Sequence, residues 1–306
     1  MTFEEFISQG WRDHATDSEG VFSRLPEGID LIAEARHLPA FAGLCVHVAG
    51  EHLGRWADGV ALLDRLDRLP VFDPATGEGK AVARSKAVLY RCAGNRAEES
   101  RFLAASMSGG DIPGASDRIR VLAVAAAAFL GQKRIAEARR DFEEAVALAG
   151  YGPTATDPAA RSLAVTGNNL ACELEERPTL TDEERSVMLR AAEVARRFWG
   201  IAGGWMETER AEYRLAMSHI KAGEPETALA HARRCLAIVE ENGSNPGEEF
   251  FGREAIARAS LAAGDAASAR TERDRMAALI PSILDESFRT FCEGEFSKLE
   301  KALGQS

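Results

Sequence analysis

Glu212 to Cys235 reads EYRLAMSHIKAGEPETALAHARRC, and the fold turns on this stretch. Leu215, Ala216 and His219 fall three and four apart, which places them on one face of a helix. Ala222-Gly223-Glu224-Pro225 then interrupts the period. Gly is the residue most often found just past a helix, where the backbone turns left-handed. Beyond it, Ala228, Ala232 and Cys235 restart a helical period with small side chains, as a seam between closely approaching helices requires. The stretch is a helical hairpin.

The same phrase recurs along the chain. One copy runs through Ala257, Ala263-Gly264-Asp265, Ala269, Arg273 and Met276 to a closing Pro281, which stops its second helix. Another sets Gly131 before Ala138, Phe142 and Ala145. A third has Gly54-Arg55-Trp56, then Gly59, Leu63, Leu66 and Pro70. A weaker one has Ala87 and Tyr90, then Gly94-Asn95 and Leu103. The turn glycines 54, 94, 131, 223 and 264 are spaced about 40 residues apart, with 131 to 223 spanning two units. The hidden unit supplies Asn168-Asn169-Leu170-Ala171 and Leu174 on its first helix. Its turn is Glu176-Arg177-Pro178-Thr179, and Thr181 with Glu184 forms a capping box for the second helix.

This arrangement resembles the tetratricopeptide repeat family, on the sets Gly223 to Cys235, Gly264 to Pro281 and Gly131 to Ala145. The resemblance covers roughly residues 38 to 281. The units are longer than the family's repeat of about 34 residues, and the aromatic residue expected early in each first helix is mostly missing. HEAT-like repeats share the length but lack the Gly-Asp/Asn turn of Gly264-Asp265 and Gly94-Asn95. The resemblance implies an all-α fold, a right-handed superhelix of antiparallel helix hairpins with about 13 helices. On that reading 1–306 is a single helical-repeat domain. Residues 1–37 form an N-terminal helical cap, 38–281 about six repeats, and 282–306 a C-terminal capping helix. Thr2 and Glu5 make a capping box ahead of Phe3, Phe6, Ile7 and Trp11. Ser282 is expected to cap the last helix, with Leu284, Phe288, Phe291, Phe296 and Leu299 facing the preceding repeat.

Composition narrows the function classes. Net charge is −11, from 48 acidic and 37 basic residues, and no basic stripe exists to replace phosphate counterions, so no nucleic acid partner is expected. The apolar run Val121 to Leu130 is about half of what spans a bilayer, so no membrane partner is expected. Met1-Thr2-Phe3-Glu4-Glu5 is acidic where a secretory signal needs basic residues. Cys45, Cys92, Cys172, Cys235 and Cys292 are scattered and odd in number, as in a reducing compartment. A cytoplasmic location follows as the expectation.

No enzyme signature emerges, and the chain is expected not to be an enzyme and to carry no cofactor. Gly77-Glu78-Gly79-Lys80 lacks the hydroxyl residue a phosphate loop needs, because Ala81 follows, and Pro74 replaces its earlier Gly. His47 and Glu51 share a helix face, but on an α-helix His52 points about 100° away from Glu51. The remaining histidines, His14, His37, His219 and His231, stand singly in the sequence, so no third metal ligand is in view. No acid/base pair can be picked out among so many carboxylates taken to be solvated.

In tetratricopeptide arrays the first helix of each hairpin lines a concave groove that takes a peptide or helix. The resemblance therefore implies a protein or peptide partner there. Candidate binding residues are Asn168, Asn169, Arg210, Tyr213, Arg214, Met217 and Arg258. Arg210 and Arg214, four apart, could grip a carboxylate, and Asn169 could pair with a peptide backbone. The plainer alternative is that the arginines pair with Glu207, Glu209 and Glu212 of their own helix. Two other functions fit the sequence. One is a small-molecule sensor or enzyme with a pocket closed by the long loops Gly109 to Pro113 and Gly150 to Pro158. The other is a homo-oligomer assembled through the terminal helix, using Phe288, Phe291 and Phe296.

Overall fold

Capping chemistry starts most of the helices. In the computed structural model, which describes residues 1–107, 114–243 and 245–304, Thr2 and Glu5 form the expected capping box at the head of α1 (Phe3–Asp13). Asp17 caps α2 (Ser18–Ile29), and Thr76 caps α5 (Gly77–Cys92). Between them, α3 (His37–Cys45) runs on into a π-helical segment, Val46–His52, and α4 is Trp56–Leu66. Asn95 caps α6 (Arg96–Ser106), and α7 (Gly114–Gly131) and α8 (Ile135–Leu148) complete the first half. The second half holds α9 (Pro158–Glu176), α10 (Asp182–Ala202), α11 (Trp205–Ala222), α12 (Pro225–Glu241), α13 (Pro246–Ala262), α14 (Ala266–Leu279) and α15 (Glu286–Leu303). The Thr181–Glu184 capping box opens α10, as its sequence implies.

Among the described residues the fold is all-helical, with fifteen α-helices in place of about 13 and no strand. Neighbours in sequence are neighbours in space: α5 packs on α6, α7 on α8, and α10 to α14 each on the next. The chain forms two compact units, Met1–Leu163 and Ala164–Ser306. Leu38, Phe41, Leu63, Leu89, Phe129 and Phe142 build the core of the first. In the second, Ala216, Ala228, Ala232, Ala255 and Ala259 form an all-alanine seam. A second cluster gathers Phe250, Met276, Cys292 and Leu299 under the last helix.

Four of the five turn glycines adopt a left-handed backbone: Gly54, Gly94, Gly223 and Gly264. Gly131 does not. It ends α7, and the left-handed residue there is Lys133. A Cβ on Gly131 would lie 2.4 Å from the carbonyl oxygen of Glu51, so this Gly serves close approach to the π-helical segment.

Two further expectations are corrected at the C-terminus. Ser282 lies in a 3₁₀ turn, and Asp285 caps α15 by accepting from the Phe288 N–H. Leu284 is 92% exposed and does not face the preceding helices; Phe291, though 55% exposed, has its ring centre 5.9 Å from that of Phe251 on α13, and Cys292 and Leu299 are the inner residues. Among the described residues no helix is long and apolar enough to cross a membrane.

Candidate functional site

The candidate residues of unit 2 lie on α9, α11 and α13, and each of the arginines among them meets a carboxylate on a neighbouring odd-numbered helix. Arg214 on α11 pairs with Glu175 on α9. Arg210 pairs with Glu248 on α13, and Tyr213 donates to Glu254 of α13 at 3.1 Å. Arg258 binds Glu254 on its own helix at 2.6 Å and Glu295 on α15 at 3.1 Å. These contacts form an ionic ladder joining α9, α11, α13 and α15. The pairings expected within α11 give way to it, because each guanidinium spans to a carboxylate 39, 38 or 37 residues away in sequence. Met217 packs against the alanine seam. Asn168 donates to the side chain of its neighbour Asn169 at 3.2 Å.

The carboxylates of this ladder are not the solvated groups the composition suggests. Glu254 is fully buried and Glu175 mostly so; burial raises both carboxyl pKa values, opposed by the arginines each one meets. Glu209 is buried without an arginine of its own. Burial pushes its pKa up, and the neighbouring Glu248 carboxylate pushes the same way, while the Cys235 thiol donates to it at 2.8 Å.

Arg210 differs from the other two arginines. Its side chain is 60% exposed, and it lines a cleft of about 610 Å³ with Glu248, Ile283, Leu284, Asp285 and Phe288. Asn168, Asn169, Tyr213, Arg214, Met217 and Arg258 do not line it. One wall therefore carries a charged pair and another carries apolar surface from the start of α15. Gly247 forms part of the lining; a Cβ there would lie 2.4 Å from the Phe288 ring, so this Gly lets the ring approach α13 closely.

In unit 1 the structure gathers three histidines that the sequence leaves apart. His14 follows α1, and its ring centre lies 4.8 Å from that of His47 and 5.2 Å from that of His52. His47 and His52 stand at either end of a π-helical turn, which brings their Nε2 atoms to 3.1 Å. Reading 46–52 as an α-helix put His52 on the wrong side; the i to i+5 geometry of a π-helix places it over His47. Burial and then the neighbouring His47 lower the His52 pKa.

The loop Gly150 to Pro158 is tied down. Asp157 accepts from Ser116 at 2.6 Å, from Tyr151 at 2.5 Å and from the Ala159 N–H at 2.9 Å. The companion loop, Gly109 to Pro113, lies outside the described residues.

No family model matches the chain, and no curated protein does. Among solved structures it is similar to BtubC (BKLC) from P. vanneervenii, at 15% identity, covering 75% of this chain and 90% of that one, with a TM-score of 0.45. A likeness at that level transfers no activity to this chain. The expectation that the chain is no enzyme is withdrawn. Its premises fall as well: several carboxylates are buried, and His14 does not stand alone.

Proposed function

We propose that this is a protein- or peptide-binding module of the tetratricopeptide kind, which docks an extended segment of a partner protein in the cleft beside Arg210. The observation that carries this reading is the composition of the cleft. Leu284, almost wholly exposed, stands at it beside Phe288 and opposite a guanidinium–carboxylate pair. A large apolar side chain left in water at a concave site is surface that gains from being covered. The Arg210–Glu248 pair offers polar recognition next to it, and the ladder behind holds the helices that form the wall. The turn glycines support the hairpin-repeat reading. All five cysteines are free, in keeping with the reducing cytoplasm.

Selection from a random-peptide display library, counter-screened on Leu284→Asp and Arg210→Ala, tests this. The expected yield is peptides sharing an apolar anchor that lose binding to Leu284→Asp and weaken on Arg210→Ala. Peptides that bind both variants as well as they bind the wild type would move the site elsewhere. The exposed Leu284 and Phe291 favour a second reading, self-association through α15. A molar mass of one chain by light scattering at micromolar concentration would remove it.

A further inference from the structure

We propose that His14, His47 and His52 form a site for a divalent transition-metal ion of the zinc class, with three imidazole Nε2 ligands and a fourth position open. The ligand atoms of the three side chains all lie within 4.8 Å of one another. Zinc–nitrogen bonds of 2.0–2.1 Å make a tetrahedral edge of about 3.3 Å. The 3.1 Å between the His47 and His52 nitrogens is already close to that edge. His14, at the end of its helix, closes the third corner by moving up to about 1.5 Å.

The rings are turned for this task. His14 Nδ1 lies 2.7 Å from the carbonyl oxygen of Trp11, which can only accept, so Nδ1 carries the hydrogen and Nε2 keeps its lone pair. His47 Nδ1 lies 3.0 Å from Glu51 Oε2, and the same logic leaves its Nε2 bare. A carbonyl or carboxylate behind the far nitrogen is the usual support of a metal-bound histidine, fixing its tautomer and raising its basicity. Glu51 is thus spoken for and is not the fourth ligand. Imidazole nitrogens suit zinc, copper, nickel and cobalt over the oxygen-seeking magnesium and calcium.

The backbone that sets the pair is itself built. A π-helical turn loosens ordinary helical bonding, and such turns recur at functional sites. Here its carbonyls are met from outside: the Trp56 indole donates to Gly50 at 3.2 Å and the Gln132 amide to Glu51 at 2.8 Å. Gly131 lets α7 pass close against Glu51. Two side chains and one close backbone approach therefore hold a geometry whose visible result is to bring His52 over His47.

The test uses the full chain, stripped with a chelator and titrated with Zn²⁺ by calorimetry. One equivalent is expected. His14→Gln, His47→Gln and His52→Gln should each lose it, and Glu51→Gln should weaken it about 10- to 100-fold while sparing all three ligands. The stacked pair His219 and His231, whose rings lie 5.3 Å apart in unit 2, supplies the control; the double Gln variant should bind as the wild type does. Co²⁺ in place of Zn²⁺ should give the intense visible absorption of a four-coordinate ion, lost in His52→Gln. If a histidine variant loses its helical circular dichroism, Glu51→Gln and the Co²⁺ spectrum decide. No saturable uptake, uptake indifferent to the three histidines, or a weak six-coordinate Co²⁺ spectrum would overturn the proposal.

Discussion

Single residues here are set by what faces them across a helix boundary. Glu209 shows this for charge: burial, reinforced by Glu248, raises its carboxyl pKa above the ordinary 4.5. The folded chain then binds that proton more tightly than the unfolded one. The contribution to stability is present in full below the ordinary carboxylate range and is lost as pH rises through the folded value. Glu209→Gln keeps a donor and removes the ionisation. Its urea midpoint should therefore fall less than the wild type's between mildly acid and alkaline pH. Parallel curves would mean that Glu209 is ionised throughout. Gly131 shows the same for shape. Gly131→Ala drives a Cβ into the Glu51 carbonyl, at a cost of about 1–3 kcal/mol in chemical denaturation. Sequence spacing made Gly131 a turn residue because a hairpin Gly and a close-approach Gly look alike in one dimension. His52 escaped for a related reason: the period assumed for the segment was 3.6, and the backbone adopts a wider turn.

At the scale of elements, the helices and their turns were legible and the ladder was not. Gly223 and Gly264 announce their turns because only an unsubstituted residue takes that backbone without strain. Arg214 and Glu175 are separated by 39 residues, and nothing local marks them as partners. The signal was the spacing itself: Arg and Glu set 37 to 39 residues apart on successive odd-numbered helices. Arg214→Ala leaves Glu175 mostly buried with only Ser218 donating, so stability should drop by about 3 kcal/mol. A double variant, Arg214→Met/Glu175→Leu, should recover most of that loss, because it leaves no charge stranded. If the single variant unfolds at the wild-type midpoint, the ladder is surface decoration. Gly223→Ala meets no neighbour within 4 Å, so its cost should be backbone strain alone, about 1–2 kcal/mol.

For the whole molecule, composition excluded classes better than it named one. The net charge of −11 describes the sum of many carboxylates, yet Glu209, Glu254 and Asp141 are fully buried. Asp141 is held there by Arg91, at 2.5 Å. A formal count sees none of that pairing, nor the carboxylates that Arg210, Arg214 and Arg258 each meet. The site we propose for a partner is the cleft where α13 and α15 begin. Hydrogen–deuterium exchange with a display-selected peptide measures that claim directly. Slowed exchange at the start of α13 and across Ile283 to Phe288, absent in Leu284→Asp, is the predicted result. Protection confined to other helices, with those segments exchanging as in the free chain, would contradict it.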